Sequence, residues 1–182
     1  MAFDTYTVFV PNSGSALTGE SQMLFTSPAT VDPFPGGNAL TSKSFFPIAD
    51  WSNDIEQTLS IGSTTTGAGA GKVAFNPFSI TRNVDVISET IFIMCAAGTT
   101  FKYVDLILQK STGASSAATF LAYRFGLVAV KTISWSHSDE AAQEVVAFEY
   151  GSLTIGYATQ NPDGSYNKFV FAGWDGVKNV KL

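Results

Sequence analysis

From Leu121 to Trp135, apolar side chains return at every second residue: Leu121, Tyr123, Phe125, Leu127, Ala129, Ile133 and Trp135, with only Lys131 breaking the series. A period of two is the signature of a β-strand with one covered face. At about 3.3 Å per residue, such a run spans on the order of 50 Å. One sheet face has no use for that length, so the strand is expected to bend near Gly126 and to serve two sheets. The preceding run, Phe101 to Lys110, is apolar on both faces (Val104, Leu106 and Leu108; Tyr103 and Ile107) and suits a strand covered on two sides. These two neighbours restrict the chain to a closed or tightly sandwiched antiparallel sheet.

The C-terminal stretch from Ala141 to Leu182 adds a hairpin. Two strand-like runs meet at Asn161-Pro162-Asp163-Gly164, where proline presets φ and Asp-Gly accepts left-handed geometry. The first run carries Val146, Phe148 and Tyr150 on one face, then moves to Leu153, Ile155 and Tyr157 after Gly151. An extra residue inverts every later side chain, so a bulge is expected at Gly151. The second run ends in Gly173-Trp174-Asp175, with Trp174 read as a packing anchor.

Thr5 to Val10 reads as an opening strand that closes at Pro11-Asn12-Ser13-Gly14. A long irregular loop follows at about 22–44, marked by Pro28, Pro33, Pro35 and Gly36-Gly37. Loops of this length are usually functional or disordered. Val31, Phe34 and Leu40 in it either anchor the loop on the body or await a partner, and docking on a partner is the expectation. Phe45 to Gln57 reads as a strand carrying Phe46, Ile48 and Trp51, open to a break at Pro47. A mobile Ser/Thr/Gly/Ala connection runs from Ser63 to Gly71, and strand alternation resumes at Lys72, is interrupted by Pro77 and continues through Phe78 and Ile80.

One helix is predicted between Asp85 and Gly98, where Ile87, Ile91, Met94 and Cys95 keep the i, i+4, i+7, i+8 spacing of a buried stripe. Asp85 or Ser88 supplies the N-cap, Glu89 sits in the first turn, and Gly98 takes the left-handed C′ position. The fold class is therefore mainly β: one domain over 1–182, a small antiparallel β-barrel of two packed sheets with one flanking α-helix.

Composition narrows the function. At 182 residues the chain buries roughly 70% of its unfolded surface and needs no staple. Only 14% of residues are charged, which leaves neutral surface that a partner covers at little cost. A net charge of −5 with 10 scattered Lys and Arg argues against nucleic acid. The N-terminus carries no secretory signal pattern, and no apolar run approaches the roughly 20 residues of a membrane span. A soluble chain made in the cytoplasm, without membrane insertion, is expected.

Gly67-Ala68-Gly69-Ala70-Gly71-Lys72 departs from a phosphate loop at Thr66 and Val73 and leads into a strand, so it reads as a hairpin connection. His137 with Ser134, Ser136 or Ser138 and Asp139 is too compact in sequence for triad geometry. Cys95 lies on the inward stripe of the helix, and one His with one Cys makes no closed zinc site. No catalytic set, metal site or cofactor is expected.

Several short motifs, in order, carry a resemblance: Gly19-Glu20-Ser21 after the first strand, and Gly71-Lys72-Val73 ahead of the strand ending at Ile80-Thr81-Arg82. Asp85 before the helix, Cys95-Ala96-Ala97-Gly98 at its end and the closing Gly173-Trp174-Asp175 complete the set. Together they resemble the Hcp (haemolysin-coregulated protein) family, the inner-tube protein of bacterial type VI secretion systems. The chain departs from the family at Ser88-Glu89, where Ser-Pro is common, and in the longer loop from Gln22 to Ser44. The resemblance implies a β-barrel with a flanking helix, assembled as a homohexameric ring that stacks into a tube. It implies sheath and spike proteins as partners, small effectors in the lumen, and export from the cytoplasm to the medium or a target cell without a signal peptide. A tail-tube protein of a phage or other contractile particle and a monomeric β-sandwich binding module are the alternatives.

Overall fold

The computed structural model describes residues 3–22, 25, 31–34, 40–60, 69–111, 117–137 and 141–182. In chain order the elements are β1 (Phe3–Pro11), β2 (Phe46–Pro47), β3 (Asp50–Ser52), β4 (Ile55–Ser60), β5 (Gly69–Phe75) and β6 (Phe78–Asn83). Helix α1 (Ser88–Ala97) follows, then β7 (Thr100–Ser111), β8 (Ala117–His137), β9 (Ala142–Tyr157), β10 (Val170–Asp175) and β11 (Val180–Lys181). The largest sheet has nine strands, all in antiparallel pairs, in the order β11-β10-β9-β8-β7-β1-β2, with β6 on β9 and β3 on β6. Strands β4 and β5 form a separate hairpin.

Closure depends on the link between β2 and β3. Ile48 donates its N–H to the Thr5 carbonyl on β1, and the next residue, Ala49, donates to Thr81 on β6. Two successive residues thus join the two open edges, so the strand expected from Phe45 to Gln57 is three short strands turning a corner. The barrel core holds Phe9, Phe46, Phe78, Phe101, Phe125 and Phe148 with Ile80, Ile91, Val104 and Leu106, all buried. Phe78 stacks between Phe125 and Phe148, at ring-centroid distances of 3.8 and 4.7 Å. A second apolar cluster lies on the other face of β1, β7 and β8, around Tyr6, Val8, Tyr103, Ile107 and Ala122. Two clusters on opposite faces explain why β7 is apolar on both.

The long strand is real: β8 runs for 21 residues. Its bend centres on Leu127, which adopts φ of 52°, one residue past Gly126. The expected bulge at Gly151 is corrected. Buried positions do change parity there, from Tyr150 to Leu153, but they change on β8 as well, from Phe125 to Val128. The ladder keeps its register across both, with Gly126 opposite Ser152 and Val128 opposite Tyr150. The register shift falls instead between Val130 and Thr132, so Lys131 interrupts the alternation as the extra residue of a bulge.

Helix α1 ends as expected, with Gly98 at φ of 65° donating its N–H to the Cys95 carbonyl. Its start differs. Ile87 is the N-cap residue and makes no side-chain cap, while Asp85 Oδ1 accepts from Ile87 N–H and Ser88 Oγ from Asp85 N–H. Of the predicted stripe, Ile87 and Ile91 are buried, whereas Met94 and Cys95 are half-buried at the core margin. The C-terminal turn is as read, with Gly164 at φ of 87° and its N–H on the Asn161 carbonyl.

Candidate functional site

The described residues contain no group of three or more His, Cys, Asp or Glu side chains able to hold a metal. No helix among them is long and apolar enough to cross a membrane. His137 ends β8 in an exposed position and residues 138–140 lie outside the described set. Cys95 is a free, half-buried thiol. Of the glycine-rich stretch, 61–68 lies outside the described residues and Gly69 to Lys72 is strand, with Lys72 exposed.

Two surfaces stand out. The first is the overhang of the large sheet beyond the barrel. Residues opposed across antiparallel strands share a face, so three rows run outward: Leu108-Leu121-Tyr157-Val170, Leu106-Tyr123-Ile155-Ala172, and Val104-Phe125-Leu153-Trp174-Lys181. Each row begins in the core at β7 and ends in solvent, where Val170 is 75% exposed, Tyr157 49% and Trp174 38%. Trp174, expected as a packing anchor, sits at the rim of this open face.

The second surface is the outer side of α1. Between Ser88 and Ala97 the only charged residue is Glu89. Ile93 is 59% exposed and Phe92 48%, with Phe92 leaning on exposed Trp135 of β8 at 6.2 Å between ring centroids. A helix that is apolar on all sides is normally covered on all sides. The barrel covers only one side of α1.

Each surface rests on a buried ionic cluster. Behind α1, Arg82 on β6 donates through Nη1 to Glu144 Oε1 on β9 at 2.9 Å and pairs through Nη2 with Asp85 at 2.6 Å. Ser88 Oγ and Trp135 Nε1 also donate to Glu144, so helix, β6, β8 and β9 meet at one fully buried carboxylate. On the opposite face of the sheet, Arg124 on β8 clasps Asp105 on β7 through Nε at 2.8 Å and Nη2 at 2.7 Å, and reaches Asp32 of the long loop at 3.2 Å. Its guanidinium lies between the rings of Phe34 and Tyr103. Burial pushes the Asp105 carboxyl up to about 7, Arg124 pulls it back only in part, and Asp32 adds a second negative neighbour. Asp32 is raised as well, again through burial.

The described residues 31–34 of the long loop are therefore fastened to this chain's own body. Val31 and Phe34 are both only 6% exposed within the second apolar cluster, and Leu40 packs against it half-buried. They form part of the core, which corrects the expectation that they wait for a partner. The motif residues gather in two places. Ser21 lines a cavity of about 380 Å³ with Phe46, Arg82 and Asp85, and Gly19 lies against Phe46, where a Cβ would overlap the ring; Glu20 is exposed. Lys72 lines a groove with Tyr150, Gly151 and Gly176, beside Asp175, whose Oδ1 accepts the Lys178 N–H. Gly71 lies on β5, and Gly98 stands apart from both groups. Sequence reasoning missed the partners Glu144, Asp105, Arg124 and Asp32. The available signal was a charge inside an apolar run, as at Val104-Asp105-Leu106.

Residues 39–157 match the family model described as "Type VI secretion system effector, Hcp". The chain belongs to the Hcp family. It is thus a type VI secretion tube protein, structural and not enzymatic, of a secreted family. Solved structures agree on the fold. A type six secretion system protein aligns over 100% of both chains at 22% identity and a TM-score of 0.77. Hcp1 from Salmonella typhimurium aligns over 100% of both at 19% identity and 0.68. Hcp1 from the E. coli EAEC 042 pathovar covers 96% of this chain and 99% of its own at 15% and 0.69. No curated protein matches the sequence.

Proposed function

We propose that this chain forms homohexameric rings that stack into the inner tube of a type VI secretion system. The tube carries a spike at its tip, is expelled when the surrounding sheath contracts, and holds small effector proteins in its lumen. The protein waits in the cytoplasm and leaves with the tube.

The observation that carries the ring is exposed apolar surface: Ile93 and Phe92 on α1, and Val170, Tyr157 and Trp174 on the sheet overhang, all stand open to solvent. Exposed apolar patches of this kind mark protein–protein contact sites. Rotational symmetry closes such a ring from a single repeated contact.

Light scattering on a sizing column and negative-stain images test the reading. A mass near six times 19.3 kDa with annular particles is the expected result. A monomer that persists at high concentration across a wide range of salt overturns it.

A further inference from the structure

Accepting the ring, which this inference deepens, we propose that the repeated contact joins the outer side of α1 on one copy to the open sheet face of β9, β10 and β11 on the next. A closed ring with one kind of contact is heterologous: it needs two different patches on each subunit, placed so that one copy's patch meets the other patch of its neighbour. The chain carries such a pair. Both patches are apolar and continuous with the core, and they lie at opposite ends of the same two strands, β8 and β9.

The spacing follows from the register. Trp135 and Glu144 face each other at the helix end of β8 and β9, while Leu121 and Tyr157 face each other at the far end. About a dozen strand residues separate the two ends, roughly 40 Å along the ladder at 3.3 Å per residue. Neither patch shadows the other, and a subunit can use both at once.

Charge selects the pairing. Glu89 is the one charge on the helix and makes no ion pair among the described residues. On the sheet face, Lys181 lies opposite Trp174, and Lys168 precedes Val170 by two residues; both are exposed and neither is ion-paired among the described residues. A helix-to-helix contact would oppose two Glu89 side chains, and a sheet-to-sheet contact would oppose lysines. Helix against sheet brings Glu89 toward the lysines, and complementary signs fix which patches meet. The contact also covers the apolar outer side of α1, which the barrel leaves bare.

Two variants test this, each disabling one patch at exposed positions. One carries Phe92→Glu with Ile93→Glu; the other carries Tyr157→Glu with Val170→Glu. Each alone should lose the ring peak by at least ~10-fold, the factor that 1.4 kcal/mol gives, and run as a monomer with native circular dichroism. Mixed in equal amounts they should give a dimer and nothing larger, because each supplies the patch that the other lacks. Rings from either variant alone, or a mixture that stays monomeric, overturn the pairing and leave the ring reading intact. A monomeric wild-type protein overturns the ring reading itself.

Should either variant misfold, cross-linking decides. Ile93→Cys and Val170→Cys in one Cys95→Ser chain, treated with a short bifunctional thiol reagent, should give a covalent ladder from assembled rings. Assembled rings that yield no ladder refute the contact.

Discussion

Folding should make this protein take up a proton at Asp105, and that has a measurable sign. The folded carboxyl titrates at about 7, against 3.8 for the same group unperturbed. That gap corresponds to on the order of 4 kcal/mol at 1.36 kcal/mol per pKa unit. Below about pH 4 the group is protonated in both states and contributes no difference. Between about pH 4 and 7 the folded chain holds one proton more than the unfolded chain, so each rise of one pH unit removes about 1.4 kcal/mol of stability. Above about 7 both states are ionised at this site and the loss is complete. Asp32, raised for the same reason, acts in the same direction. Urea unfolding at pH 5, 6, 7 and 8, at one fixed protein concentration because assembly couples to stability, should show this decline. Asp105→Asn keeps the shape and an acceptor for Arg124 but cannot ionise, so its profile should flatten over the same range. Parallel pH profiles for wild type and variant would show that Asp105 is ionised throughout, and the proton-uptake argument would fail.

Glu144→Ala should cost about 2–3 kcal/mol in urea unfolding, since it leaves Arg82 Nη1 buried without its acceptor, Asp85 being the carboxylate that remains, and removes acceptors from Ser88 and Trp135; a loss below about 1 kcal/mol would mean that water replaces the lost carboxylate. Phe34→Ala should cost about 3–5 kcal/mol by the same measure, and deletion of 27–43 should destabilise the barrel rather than spare it. Unchanged stability in either would return the loop to the role of a free partner segment. Gly98→Ala should lower stability by about 1 kcal/mol through φ of 65° alone, as nothing lies within 4 Å of the added Cβ; an unchanged thermal midpoint would refute the strain.

The strands and the helix were legible because periodicity is local. Leu121 to Trp135 spells β8, and Ile87 with Ile91 marks the buried side of α1. What stayed hidden depends on distance in sequence. Nothing near Val31 or Phe34 reveals that Arg124, ninety residues on, supplies a cation and a ring-stacking surface for their loop. The bulge lies on β8 and not at Gly151 of β9 for a related reason. A change of parity after Gly151 can come from a slip or from paired kinks, and only the opposite strand, with Leu127 at φ of 52°, distinguishes them. The two assembly surfaces were half visible. The excess of apolar residues on α1 is plain in the sequence, yet the sequence alone places Trp174 and Ile93 in a core as readily as on a rim.

The β8–β9 ladder, paired from Leu121 to His137 with one bulge at Lys131, has a mechanical meaning. It crosses the bend at Leu127 and Gly151 without losing register and links the helix end of the barrel to the sheet overhang. In a ring built on those two ends, tension around the hoop passes along this ribbon as shear on many hydrogen bonds at once, the direction in which a ladder resists most. A hoop of six such ribbons would keep its bore while being driven forward, and its weakest links would be the joints between copies.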